Sequence, residues 1–382
     1  MSAPGQARRR IVLVGGGHAH ALLLLQWALR PLPGIDLQLV SPEPVSLYSG
    51  MLPGWLAGRW RVEELQIDLQ PLCRAAGARL LLDEALALEP QARQLRLARG
   101  GTLPYDLLSI NTGSTLQAPE HAGAVLALRP LSSLVQRWPA LLQAWRTGEG
   151  PQCIDMVGGG AAGVEVLLAV LARLRAMRPE RCLQARLFSS AARLLPGHNA
   201  GVARRAAVAL RAAGVELLTQ KRWQAGDSPA GSWLLWAAGA RPPAWLAASG
   251  LQRSDEGYVA VDASLRSRSH PEVFAAGDSA AFRPALDKSG VRAVRMAPVL
   301  AHNLLATLLG QPLQPYRPQA SVLALLALPE GRAIASRGSW LAAEGRWVAR
   351  WKDRLDLDFM QRFAPGALAA LSPQNPNDPP CP

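Results

Sequence analysis

Short apolar runs that end in glycine punctuate the chain, and each leads into a longer apolar stretch. Ile11 to Val14 enters Gly15-Gly16-Gly17 and then Ala19 to Leu29. Ile154 to Val157 enters Gly158-Gly159-Gly160 and then Ala162 to Ala176. An unbroken apolar run fits a strand covered on both faces, and the stretches that follow have helical length. IVLVGGGHAHALLLL at 11 to 25 aligns without a gap on IDMVGGGAAGVEVLL at 154 to 168, so strand, turn and helix occur twice. Three further runs, YDLLSINTGS (Tyr105 to Ser114), SWLLWAAGARPP (Ser232 to Pro243) and HPEVFAAGDSAAF (His270 to Phe282), read as strands closed by small-residue turns. MAPVLAHNLLATLLG then reads as a helix starting near Met296, with Pro298 in its first turn and Gly310 at its end. Further on, GSWLAAEGRWVARW reads as a hairpin across Glu344-Gly345 followed by a last helix, one face of which carries Leu355, Phe359, Met360 and Phe363.

Length and composition add bounds. A chain of 382 residues with 49% hydrophobic and 18% charged residues can bury two or three cores. Lys+Arg of 41 against Asp+Glu of 28 gives +13, yet the excess is arginine scattered along the chain, with no basic block interleaved with aromatics, which argues against nucleic acid as a partner. Cys73, Cys153, Cys182 and Cys381 form no Cys-x-x-Cys pair, which argues against a disulfide framework, a zinc site or a vicinal redox disulfide and favours a reduced, cytoplasmic setting. Arg8-Arg9-Arg10 ahead of apolar residues is not a secretory signal, because glycines and His18 and His20 interrupt the run. No apolar run has spanning length, so any membrane contact is expected to be peripheral. His18 and His20 lie on different faces of the first helix, and no metal site is expected.

The chemistry of a strand, a Gly-x-Gly turn and a helix is phosphate binding. Glycines let the backbone approach a pyrophosphate, and the positive helix end faces it. The second copy completes Gly-x-Gly-x-x-Gly with Gly158, Gly160 and Gly163; the first has Gly15 and Gly17, but His20 stands where the repeat places Gly163. The position near a helix N-terminus favours a neutral imidazole at His20, able to donate toward phosphate or a flavin.

The order of Gly-rich turn, Thr-Gly, Gly-rich turn, Ala-Gly and Gly-Asp resembles the two-dinucleotide-binding-domain flavoproteins, the pyridine nucleotide-disulfide oxidoreductase superfamily. GGGHAH, YSGMLPGWLAG, LLPGHN and WKDRLDLDFMQRF resemble in particular the FAD-containing NADH-dehydrogenase-like proteins found alone or fused to selenide, water dikinase. The resemblance implies an α/β fold of two Rossmann-like domains plus a small C-terminal α+β domain. An FAD domain would take residues 1–117 and 255–317, an inserted NAD(P)H domain 118–254, a C-terminal interface domain 318–366, and a disordered tail 367–382. It assigns Gly15, Gly17, His20, Ser41, Thr112, Gly113, Gly277, Asp278 and Ala297 to FAD, the last through the positive end of a helix starting there. It assigns Gly158, Gly160, Gly163, Glu165, Ser189, Arg193 and Gly239 to NADH or NADPH, with Glu165 as the candidate catalytic residue near the nicotinamide. Ser189-Ser190 and Arg193, without a carboxylate, leave NADPH as open as NADH.

The implied reaction passes a hydride from NAD(P)H to FAD and then two electrons to a quinone or similar small acceptor. The last helix could dock on anionic lipid, or form a homodimer or domain contact. Two alternatives stay open: a soluble reductase of sulfur or selenium species, which would need Cys73 or Cys182 beside the flavin, and a non-catalytic NAD(P)H-sensing flavoprotein.

Overall fold

The computed structural model describes residues 8–120 and 123–371. The two repeats seed two five-stranded parallel sheets. In the first sheet Arg9–Val14 is central, flanked by Ile35–Ser41 and Ala78–Leu82 on one side and by Leu107–Ile110 and Val273–Ala275 on the other. In the second, Cys153–Val157 is central, flanked by Gln184–Ser189 and Val215–Thr219, and by Trp233–Trp236 and Val125–Ala127. The same spatial order arises from different connections: the outermost strand of the first sheet comes late in the chain, whereas that of the second precedes its own glycine turn. This is the doubly wound arrangement whose ligands bind at the C-terminal strand ends, where connections diverge.

Registers make the copies superimposable residue by residue. Gly15 N–H donates to Val40 O at 2.8 Å, and Gly158 N–H to Phe188 O at 2.9 Å. Asn111 N–H donates to Val14 O at 2.8 Å, and Ala237 N–H to Val157 O at 2.8 Å. Ser41 therefore corresponds to Ser189, and Asn111 to Ala237.

Covered on both faces, the central strands read as uninterrupted apolar runs: Ile11, Val12, Leu13 and Val14 are all buried. The helix His18–Leu29 packs on the helix Gly290–Leu308, and Ala161–Met177 crosses the other sheet. The helix expected near Met296 starts six residues earlier, at Gly290, capped by the Ser289 hydroxyl, which accepts from Arg292 N–H. Pro298 thus lies inside it, and Ala297 is 1% exposed in its core contact, so Ala297 cannot present a helix end to a cofactor. An interior proline costs about 3 kcal/mol, which burial of Met296, Leu300 and Leu304 offsets at about 1.5–3 kcal/mol each.

The C-terminal part has a three-stranded antiparallel sheet, Ala324–Leu328, Arg332–Arg337 and Leu341–Gly345, followed by the helix Arg346–Gln361. The expected turn at Glu344-Gly345 is instead strand: Glu344 pairs with Ile334, and the chain reverses around Gly338. Phe359 and Phe363 take the domain contact, buried in the first unit's core. Leu368 in the short helix Pro365–Ala369 joins them, so residues 367–371 of the expected disordered tail are ordered, and the remainder lies outside the described residues.

Asp155 sits at 0% exposure inside the second sheet, accepting from Arg186 Nε and Nη2 at 2.7 Å each and from the Ser228 hydroxyl. Asp155→Ala leaves the guanidinium unpaired and should cost about 3–5 kcal/mol in chemical denaturation, with Asp155→Asn intermediate. Unchanged stability in the alanine variant would show that the pair is structurally idle.

Candidate active site at the two glycine turns

The first turn is built against one side chain. A Cβ on Gly17 would overlap Asn111 Oδ1, so only glycine lets the turn close on this amide. Asn111 Oδ1 accepts from Ala19 N–H at 3.1 Å and His20 N–H at 3.3 Å, capping the helix that Gly17 itself cannot cap. Asn111 Nδ2 donates to Ala276 O at 2.9 Å, drawing in the Gly277-Asp278 segment. Helix geometry leaves the Gly17 and His18 amides without an intrahelical acceptor, directed at the mouth of the turn. Asn111 was not among the predicted residues, because its partners are 91, 92 and 165 positions away and no local pattern marks it.

His20 is fully buried and does not face a ligand, which corrects its expected role. Nδ1 donates to Gly15 O at 2.7 Å, and Nε2 accepts from the Ser109 hydroxyl at 2.8 Å. Burial lowers its pKa to about 4, so the ring is neutral as expected. At the equivalent Gly163 a Cβ would overlap Gly158 O: one copy closes helix on turn by bare contact, the other through an imidazole bridge.

Ser279 forms the opposite wall. Its hydroxyl accepts from Thr112 and Gly113 N–H, both at 3.1 Å, which places Thr112, Gly113, Gly277 and Asp278 side by side. Asp278 Oδ2 meets Arg129 at 2.5 Å and Ser114 at 3.4 Å, whereas Oδ1 has no partner among the described residues. Ser41 lies at its strand end and donates to Glu43 O at 2.8 Å. His18 stands edge-on to Tyr48 and Phe359, its ring centroid 5.5 and 6.0 Å from theirs, and its buried Nε2 has no partner. Burial lowers its pKa to about 4. Exposed amides at a helix end, a free carboxylate oxygen and an orphaned imidazole nitrogen fit a dinucleotide running from turn to Gly-Asp segment.

At the second turn Gly158, Gly160 and Gly163 precede and enter the helix Ala161–Met177, with Ser189 at the adjoining strand end and Gly239 beyond the next one. Arg193 is exposed on the loop after Ser189, while Glu165 lies half-buried one turn into the helix. Glu165 accepts from Ala327 N–H at 2.7 Å, and burial, which outweighs the field of Lys352, raises its pKa to about 7. Lys352 donates to Gly50 O and Asp356, both at 2.6 Å, and Asp356 accepts from the Tyr48 hydroxyl at 2.9 Å. Tyr48 stacks on Phe359 at 4.6 Å, returning the chain of polar groups to His18.

Comparison with known proteins gives the family. The pyridine nucleotide-disulphide oxidoreductase family model matches residues 9–299. The chain belongs to that family, a class of FAD-dependent enzymes that exchange electrons with nicotinamide nucleotides. A probable ferredoxin reductase of Castellaniella defragrans is 29% identical over 168 residues, 43% of this chain and 40% of that protein, so the match spans less than half of the relative. The fold resembles the sulfide:quinone oxidoreductase of Aquifex aeolicus, with TM-score 0.77 and 17% identity over 94% of this chain and 92% of that one. It also resembles NDH2 of Plasmodium falciparum solved with NADH, with TM-score 0.77 and 13% identity over 92% and 97%.

The His20 bridge has a pH signature. Its pKa is about 6.5 unfolded and about 4 folded, so the neutral ring's stabilisation is present above pH 6.5 and is lost as pH falls through 4. Across that window the wild type should lose about 3 kcal/mol more than His20→Gly in denaturation titrations. Parallel curves for the two proteins would mean that His20 is charged or idle in the fold.

Proposed function

We propose that the chain takes a hydride from NAD(P)H bound at the second glycine turn and passes two electrons to a small, quinone-like acceptor admitted beneath the C-terminal helix. The observation that carries this reading is the set of polar side chains drawn from both nucleotide units and the C-terminal helix: Lys352, Asp356 and Tyr48 are hydrogen-bonded in series, and Glu165 lies within the field of Lys352. Bound FAD supplies the hydride acceptor and the two-electron store. The Gly17 and His18 amides, with Gly15 closing the turn, would hold its pyrophosphate; Thr112, Gly113 and Asp278 Oδ1 would hold its polyol and ribose, with Gly277 giving clearance.

Reduction of a quinone consumes protons as well as electrons, and a site closed to water must supply them from side chains. A carboxyl with a pKa of about 7 both donates and recovers a proton near neutrality, which is what burial gives Glu165. Lys352 holds compensating charge and is bonded to Asp356, which accepts from the Tyr48 hydroxyl, and the Tyr48 ring lies edge-on to His18. The neighbour whose name specifies a sulfide:quinone oxidoreductase supports this class of acceptor.

Thiol chemistry has less support. Burial pushes the Cys73 thiol up to about 12 and the Cys153 thiol up to about 11. Cys182 lies beyond the far end of Ala161–Met177, about 25 Å from the turn by helical rise. A sulfur or selenium reductase working through these cysteines is therefore the weaker reading.

Trp347, Trp351 and Leu355 form an exposed stripe one turn apart, beside Arg346, Arg350 and Arg354. That pairing of indoles with guanidinium groups suits the surface of an anionic bilayer, the reservoir of a quinone. Flotation with anionic vesicles should be lost in Trp347→Ser/Trp351→Ser, and retention of binding would remove the lipid contact.

Anaerobic stopped flow tests the main reading. NADH or NADPH should bleach the flavin, and a short-chain quinone should restore it; a flavin that neither nucleotide bleaches would refute the enzyme reading. In steady state with quinone the rate should fall as pH rises through about 7, as Glu165 loses its proton. Glu165→Gln should be slower on the order of 10²-fold and lack that ionisation. A profile unchanged by the substitution would remove Glu165 from the proton path.

A further inference from the structure

The geometry points to NADPH, in preference to NADH, as the electron donor, with Arg193 and Ser190 recognising the 2′-phosphate of its adenosine. The inference rests on the reading of the second glycine turn as the donor site. It comes from comparing the two copies at equivalent positions. Ser41 and Ser189 both end the strand beside their glycine turn and both face its middle glycine: a Cβ on Gly16 would lie 3.5 Å from Ser41 Oγ, and one on Gly159 2.7 Å from Ser189 Oγ. In a Rossmann turn this is where the adenosine ribose lies.

From that shared point the copies diverge in charge. Ser41 is followed by Pro42-Glu43-Pro44, and Ser189 by Ser190-Ala191-Ala192-Arg193. A carboxylate accepts from a ribose diol and repels a phosphomonoester, whereas a guanidinium and hydroxyls favour the phosphate. No Asp or Glu occurs from 189 to 198.

The loop that carries Arg193 is fixed to the turn. Leu195 N–H donates to Gly159 O at 2.8 Å, and Ala191 N–H to Ser189 Oγ at 3.3 Å. Arg193 Nη2 donates to Pro196 O at 3.3 Å and His198 O at 2.8 Å, which orients an exposed guanidinium and leaves its other N–H donors for a ligand. The neighbouring strand end lies alongside: Lys221 N–H donates to Ser189 O at 3.0 Å, and Arg222 follows it. Asp227, the carboxylate of that segment, is held by Lys221 at 3.0 Å.

Calorimetric titration of the FAD-loaded protein with NADP+ and NAD+ tests this apart from turnover. NADP+ should bind about tenfold more tightly or better, as one charge-assisted recognition site gives. Arg193→Ala should shrink the NADP+ to NAD+ affinity ratio by about tenfold or more, and Ser190→Asp should invert it. NAD+ binding as tightly as NADP+ overturns the preference and leaves the donor site standing; binding of neither nucleotide overturns the donor site itself. An affinity ratio unmoved by Arg193→Ala overturns the assignment of that residue.

Discussion

A single carboxamide ties the first nucleotide unit together. Asn111 ends the strand Leu107–Ile110, caps the helix behind Gly17 through Oδ1 and holds Ala276 through Nδ2. Ala276 belongs to a segment that returns only after the whole second unit has been traversed. The Gly-Asp segment therefore reaches the first turn because one amide satisfies both, and each of these buried groups left unpaired would cost about 1–3 kcal/mol. Gly17 and Gly277 follow from the same constraint, since a side chain at either would occupy the amide's space.

From that junction the rest of the site is positioned in turn. The Gly-Asp segment carries Ser279, whose hydroxyl fixes the Thr112-Gly113 turn. The turn that follows the short strand Val45–Leu47 carries Tyr48 and Gly50, which the C-terminal helix grips through Asp356 and Lys352. Burial of Phe359 and Phe363 in the first unit's core anchors that helix with about 1.5–3 kcal/mol per ring. The approach of its Lys352 to Glu165 is thus a consequence of packing, and so is the desolvation that lifts the Glu165 pKa.

Much of this was legible in the sequence, and what was not has identifiable causes. The two strand, turn and helix units could be read because periodicity and glycine are local signals that the repeat doubles. Asn111 could not, since its meaning lies in partners far along the chain. The proline rule placed a helix start at Met296 and failed because packing on both sides of Pro298 outweighs one lost hydrogen bond. The hairpin turn was set at Glu344-Gly345, although Glu344 faces Arg332 and Arg205 across the C-terminal sheet and the second unit, and Gly338 makes the reversal. The last helix showed the correct apolar residues, but sequence could not separate Phe359 and Phe363, which the core takes, from Trp347 and Trp351, which remain outside.

The two copies differ in how far the protein itself satisfies the turn, as the proposed division between a resident and an exchanging nucleotide requires. Where the first copy has Asn111, the second has Ala237, whose methyl group can reach no helix amide. The helix Ala161–Met177 accordingly starts at Gly160 without a side-chain cap, leaving its first amides for a ligand. Where the first copy has His20, bonded at both nitrogens, the second has Gly163 and nothing to bond. The first turn is thus ordered by the protein itself, with part of its hydrogen-bonding capacity already spent. The second keeps its donors for what binds, and the loop beside it offers an arginine in place of a carboxylate. Preorganisation suits a cofactor that stays, because the ordering cost is met on folding. An uncapped helix end suits a nucleotide that must arrive, react and leave, because its stabilisation is realised only while the ligand is present.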